Sequence, residues 1–228
     1  MKTLVSVSKL SGREAEADYV EKAAPPLVRV TAITAISFAL FEGGNRALCD
    51  PQVGCEDVRE IAKGYIGDTV SMTAVRLSLL LDADPNVISF QTVYRRLNVP
   101  VVIDVLVRRA RDRAEALEDR TEENIRASVA SFLKTYRAID WRSLHGRLQH
   151  FRNHGLAHLL PQPIKKRPSY GEIGALVRSV TRMGECLVSF DPNGVPLRVD
   201  EIAEWSNRAK ATWEAAFQRE GVPMDNGD

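Results

Sequence analysis

All four histidines of the chain lie within one run of fourteen residues. They are His145, His150, His154 and His158. Arg152 and Asn153 lie in the middle of this run. Imidazole moves protons near neutral pH, and a guanidinium is always charged and matches the geometry of a phosphate. The combination therefore predicts a site that acts on a phosphoester.

The spacing of these residues constrains how they meet. On a helix, residues four apart share a face, so His150, His154 and His158 form one stripe. Arg152 points roughly 120° away from His158 on the same helix. The two side chains therefore reach one phosphate only if the helix loosens at Gly155, or if two copies of the helix face each other in a dimer.

The charge around the run is uneven. The segment 134–167 has one acid, Asp140, and eight basic residues. The basic residues are Lys134, Arg137, Arg142, Arg147, Arg152, Lys165, Lys166 and Arg167. Such a segment attracts a polyanion. The alternative is that these residues lie on ordinary solvated helix faces, and that neighbouring elements neutralise their charge.

Composition describes a globular protein. The chain has 228 residues, 44% hydrophobic and 27% charged, with a formal net charge of +1. We expect one domain over 15–220, with flexible tails at 1–14 and 221–228. The apolar stretch Leu27–Phe41 is interrupted by Arg29 and is short for a bilayer, so we expect a cytoplasmic protein without a membrane span.

The hydrophobic pattern is helical almost throughout and predicts an all-α fold. The predicted helices are 28–48, 56–81, 89–97, 99–119, 121–139, 141–160, 169–190 and 199–219. Thr121 and Asp140 are predicted N-caps, and Ser169 with Glu172 has the spacing of a capping box. Pro161 ends the helix that carries the histidines, the motif helix at about 141–160.

Three interpretations of the histidine run stay open at this point. His154 and His158 have the spacing of two zinc ligands, but no third ligand is nearby in sequence and the positive field opposes a cation. The run could equally be a polar helix face without chemistry. The third interpretation is phosphoryl-transfer chemistry on a nucleic acid.

The segment R-N-H-G-L-A-H, from Arg152 to His158, resembles the signature of the HEPN superfamily. Its form is most similar to the AbiU-like branch, which is linked to abortive phage infection. The upstream segment D-A-D-P-N-V-I-S-F-Q-T-V-Y-R-R-L, from Asp82 to Leu97, is also similar to that branch.

The resemblance implies an all-α HEPN-like bundle, with additional flanking helices, that forms a homodimer through the motif helix. It implies metal-independent cleavage of RNA by the 2′-hydroxyl, with no cofactor. By residue, Arg152 matches the family's arginine, Asn153 the polar residue and His158 the histidine. His154 and His150 are then supporting residues, with His154 as an alternative catalytic imidazole.

The same resemblance implies contacts with RNA and a biological setting. Arg147, Arg142 and the basic cluster Lys165, Lys166 and Arg167 would contact nucleic acid. The setting would be phage defence or a toxin role, with an antitoxin or regulator as partner. Leu159 follows the histidine where some HEPN toxins carry a tyrosine, so neutralisation through that tyrosine is not expected. The alternative is a catalytically inactive HEPN module that binds RNA or a protein.

Overall fold

The computed structural model describes residues 2–50, 56–113, 121–153, 167–190 and 199–218. Side chains are described from residue 12, and not at 56–58, 113, 199–200 and 218. These parts of the chain are helices joined by short turns and contain no strand. The predicted all-α class is confirmed.

Eight α-helices are described within these ranges. They are α1 (Lys2–Leu48), α2 (Glu56–Leu80), α3 (Phe90–Leu97), α4 (Pro100–Arg113), α5 (Glu122–Arg137), α6 (Gly146–Phe151), α7 (Tyr170–Val188) and α8 (Val199–Gln218). Most observed boundaries lie within two residues of the predicted ones, since capping and turn residues mark them in the sequence.

The predicted caps are confirmed. The Thr121 hydroxyl accepts the amide of Asn124 at 3.2 Å and starts α5. Ser169 and Glu172 form a reciprocal capping box that starts α7, with the Ser169 amide donating to the Glu172 carboxylate at 2.8 Å. Each cap satisfies backbone donors that the first helical turn leaves without a partner.

Helix α1 differs from the prediction because it continues through Pro25 and Pro26. The sequence predicted a start at Val28, since a proline inside a helix removes a backbone hydrogen bond. Burial offsets that loss: Ala17, Val20 and Ala24 on the preceding turns are all fully buried. From residue 2 onward, α1 also includes the segment 1–14 that was expected to be a tail.

Contacts divide the chain into two compact units. Unit 1 comprises residues 1–32 and 77–197, and unit 2 comprises residues 33–76 and 198–228. The expectation of one domain stays a prediction.

In unit 1, helix α5 lies at the centre and packs against α3, α4 and α7. Phe132 of α5 is fully buried, and its ring centroid lies 5.9 Å from that of Phe90 in α3. Burial of such large apolar side chains is the main stabilising contribution to a core of this kind.

In unit 2, two adjacent glycines let helices approach closely. A Cβ atom at Gly43 would lie 2.1 Å from the carbonyl oxygen of Ser206 in α8. A Cβ atom at Gly44 would lie 2.8 Å from the Ile66 side chain in α2. Both lie within the predicted helix 28–48 and are interior residues of α1 that make room for its neighbours.

One helical segment among the residues described, Gly12–Leu48, is long and apolar enough to cross a membrane. It includes the stretch Leu27–Phe41 that was expected to be too short. Half of its most apolar window is buried inside the protein, as in the core helix of a soluble protein, so this is weak evidence for a span. The cytoplasmic location stays a prediction.

We expect Phe132→Ala to lower the free energy of unfolding by about 3–5 kcal/mol, because it leaves a cavity at the centre of unit 1. Chemical denaturation followed by circular dichroism measures this change. The control Ile88→Ala alters a side chain that is 48% exposed and should cost less than about 1 kcal/mol. Equal losses in the two variants would contradict the assignment of Phe132 to the core.

Candidate functional site

The segment that carries the histidines starts with a cap and a wide turn. The Asp140 carboxylate accepts the amide of Ser143 at 2.9 Å, as predicted for an N-cap. Residues Trp141–His145 form a π-helical turn, in which the amide of His145 reaches the carbonyl of Asp140 at 3.2 Å. Helix α6 follows, and Arg152 and Asn153 return to π-helical geometry. The predicted continuous α-helix is therefore interrupted by wide turns, which are frequent at functional sites.

Of the two histidines in the described ranges, His145 is buried, with 8% of its surface exposed, and His150 is half-buried. Its Nε2 atom lies 2.9 Å from the carbonyl oxygen of Leu81. Because a carbonyl only accepts, Nε2 carries the hydrogen and donates it. Leu81 directly follows α2, where the last carbonyls of a helix have no partner within it. His145 therefore provides a hydrogen-bond donor for the Leu81 carbonyl. This bond links the segment that carries the histidines, the motif segment, to the end of α2.

Burial lowers the pKa of His145 below its ordinary value of 6.5, and the nearby Arg152 guanidinium acts in the same direction. The Leu81 hydrogen bond and the Asp82 carboxylate oppose this shift. His145 is therefore neutral at pH 7. Its ring also closes an aromatic column, with its centroid 5.0 Å from that of Trp141.

The column continues into the core of unit 1. The centroid of Trp141 lies 4.5 Å from that of Tyr136, which stacks on Tyr94 at 4.0 Å. Burial raises the pKa of Tyr136 to about 12, so its hydroxyl stays protonated. The indole of Trp141 donates to the Tyr136 carbonyl at 3.0 Å. These contacts hold the π-helical turn against α5.

Arg152 has two polar partners at the end of α6. Its Nε donates to the Oδ1 of Asn153 at 2.9 Å, and its Nη1 lies 3.6 Å from a carboxylate oxygen of Asp82. The side chain is 30% exposed. The arginine and amide predicted to act together thus contact each other directly, on a turn that solvent reaches.

Arg147 is engaged by an acid from another helix. Its guanidinium pairs with Glu172, the capping-box residue of α7. The backbone amide of Ser169 lowers the pKa of Glu172, and the Arg147 guanidinium contributes in the same direction. Glu172 therefore stays ionised, and part of the positive charge predicted for this segment is neutralised.

The remaining predicted residues divide into two groups. Arg142 and Arg167 are exposed, Asn153 is exposed, and His150 is half-buried in α6. Four predicted residues lie outside the described ranges: His154, His158, Lys165 and Lys166. Within the described ranges, no three His, Cys, Asp or Glu side chains are grouped as metal ligands.

Two acids of this region were missed as partners of the motif. Asp82 lies seventy residues before Arg152 and Glu172 twenty residues after it. Asp82 could have been identified from the sequence, because it is the first residue of the segment D-A-D-P-N that is part of the resemblance. Glu172 was recognised only as a cap, since the local sequence does not reveal which helix its second carboxylate oxygen meets.

Comparison with protein-family models, curated proteins and solved structures finds no match to this chain.

We expect His145 to make stability depend on pH. The unfolded imidazole takes up a proton as pH falls through about 6.5, whereas the buried imidazole resists protonation to a lower pH. The contribution of His145 is therefore complete above about pH 6.5 and is lost as pH falls through the pKa of the folded state. His145→Gln keeps an N–H donor for Leu81 and does not titrate.

Thermal unfolding of both proteins between about pH 7.5 and pH 5 measures this effect. The Tm of the wild type should fall more steeply on acidification than that of His145→Gln. Parallel curves would show that His145 does not titrate as a buried group.

Proposed function

We propose that the chain is a metal-independent endoribonuclease of HEPN type. The observation that supports this most directly is the contact between Arg152 and Asn153 on a solvent-accessible π-helical turn. An arginine held by a neighbouring amide presents its remaining N–H donors in a fixed orientation, which suits a phosphate.

In this proposal Arg152 stabilises the charge that builds up on the phosphorus-bound oxygens. RNA supplies its own nucleophile, the 2′-hydroxyl, so the protein needs a cation and groups that move protons. The 2′-oxygen attacks phosphorus, the bond to the 5′-oxygen breaks, and the products carry a 2′,3′-cyclic phosphate and a 5′-hydroxyl. Asn153 orients the guanidinium.

Proton transfer is assigned to His158, with His154 and His150 as supporting groups. Removing the proton from the 2′-hydroxyl and protonating the leaving 5′-oxygen are both steps that an imidazole performs near pH 7. A second copy of the chain would complete the site with its own motif helix.

Asp82 sets a condition on substrate binding. Its contact with Arg152, at 3.6 Å, is longer than a direct hydrogen bond and partly exposed. Ion pairs of this type contribute roughly 0–1 kcal/mol. A substrate phosphate that engages Arg152 bidentately therefore displaces Asp82 at little cost.

The setting that we propose is phage defence or a toxin role in the cytoplasm, with the protein as a homodimer and an antitoxin or regulator as its partner. These proposals rest on the resemblance of residues 152–158 to the HEPN signature.

The second candidate is a catalytically inactive module that binds RNA or a protein. The observation that favours it is that both arginines contact acids: Arg152 lies beside Asp82, and Arg147 pairs with Glu172. A binding module needs no free guanidinium at Arg152 and depends on the exposed basic residues instead.

We expect the purified protein to cleave end-labelled total RNA in excess EDTA. Arg152→Ala should lower the rate by about 10²–10³-fold, since it removes a preorganised cation, and His158→Ala by about 10²–10⁴-fold. Arg111→Gln, an exposed change in α4, is the matched control for loss of a positive charge.

Cleavage that survives EDTA and disappears in the two site variants supports the enzyme. Cleavage that persists in Arg152→Ala contradicts the assigned role. RNA binding without cleavage, unaffected by His158→Ala, favours the inactive module.

We expect RNA binding to weaken with salt, because protein groups that bind phosphates release counterions. In Arg142→Gln/Arg167→Gln the slope of log K against log salt should become shallower by about 0.7 for each phosphate that the variant no longer neutralises. Fluorescence anisotropy with a labelled single strand measures the slope. An unchanged slope would exclude both arginines from the RNA-binding surface.

A further inference from the structure

Unit 1 contains an open cavity of 540 Å³ that the proposed RNA site does not use. Four parts of the chain line it: residues 12–16 of α1, the turn after α2, the last turn of α3 and the start of α4. The lining residues are Gly12, Arg13, Glu16, Pro85, Arg95, Arg96, Val99 and Val102. The volume is typical of a site for a small organic ligand.

The charge of this cavity is positive. Of its three arginines, Arg96 is held within the protein: its Nε pairs with Glu16 at 2.7 Å and its guanidinium lies 3.6 Å above the Tyr19 ring. Arg96 therefore neutralises the acid of the cavity. Arg13 and Arg95 contribute two further charges, and neither forms an ion pair with an acid among the described residues.

The two remaining arginines have guanidinium N–H donors that form no hydrogen bond within the described structure. Arg95 is exposed, and its contact within the described structure is a long one, 3.4 Å from Nη2 to the Ala83 carbonyl. Arg13 is half-buried at the cavity edge. Guanidinium groups in such positions bind phosphate oxygens through charge-assisted hydrogen bonds.

The first turn of α4 adds to the positive potential and provides an apolar wall. Pro100 begins this fourteen-residue helix, and the first turn carries no acid. The start of a helix is the positive end of its dipole; here Pro100 has no N–H, and the Val102 amide donates to the Val99 carbonyl at 3.0 Å. Val102 is buried at 1% exposure, and Val99 and Pro85 are further apolar lining residues.

We propose that this cavity binds a free nucleotide. The phosphates would lie on Arg13 and Arg95 near the start of α4, and the base and ribose would pack on Val99, Val102 and Pro85. Cationic side chains that can bind phosphates, beside an apolar wall, match a molecule with one anionic part and one flat apolar part. Inorganic phosphate fills only the charged part.

Isothermal titration calorimetry of the full chain at low salt tests the proposal, with ATP, pyrophosphate and a 5′-phosphorylated oligonucleotide as probes. ATP is expected to bind more tightly than either other probe. Arg13→Gln/Arg95→Gln should weaken ATP binding by at least about tenfold, the effect of losing one charged hydrogen bond. Val99→Ser, which removes an apolar lining side chain that is 45% exposed, should weaken ATP binding more than pyrophosphate binding.

The matched control is Arg111→Gln/Arg178→Gln, which removes two exposed charges outside the cavity lining. It should bind ATP like the wild type, and circular dichroism with thermal unfolding should show that all variants are folded. Absence of ATP binding by the folded wild type overturns the proposal, as does binding that the Arg13/Arg95 variant retains. Equal affinity for pyrophosphate, or tighter binding of the oligonucleotide, overturns the assignment to a free nucleotide.

Discussion

The hydrogen bond from the buried His145 to the Leu81 carbonyl is the contact on which the arrangement of the candidate site depends. It joins the start of the motif segment to the end of α2, two points that lie 64 residues apart in sequence. The turn that follows Leu81 begins with Asp82, whose carboxylate lies 3.6 Å from Arg152. A buried carbonyl without this partner would be costly, so the neutral imidazole has a structural role.

Charge in the motif segment is set by the tertiary structure as much as by the sequence. Arg152 and Arg147 each contact one acid, from the turn after α2 and from the first turn of α7. The segment is therefore less positive than its own residues suggest. Among the described residues of the segment, Arg142 and Arg167 remain exposed.

The turn after α2 connects two features of unit 1. Asp82 contacts Arg152, the Ala83 carbonyl accepts from Arg95, and Pro85 lines the arginine-rich cavity. The turn is itself ordered by local bonds, since the Asp82 carboxylate accepts the amide of Asp84 at 3.0 Å. One short turn thus takes part in both the candidate site and the cavity.

Helix positions and caps could be predicted from the sequence because their signals are local. Thr121, Asp140 and Ser169 bind amides within three residues of themselves, and the periodic pattern of apolar residues identifies the helices. The same local evidence brought together Arg152 and Asn153. These features needed no knowledge of distant parts of the chain.

The tertiary structure decided what depends on distant partners. Helix α1 passes through Pro25 because its faces are buried, and the close approach of α8 to α1 uses the missing Cβ of Gly43. Nothing in the neighbouring residues marks His145 as buried, yet packing places its imidazole against the Leu81 carbonyl. Hydrogen bonds and burial between residues far apart in sequence follow from packing, which a pattern of neighbouring residues does not encode.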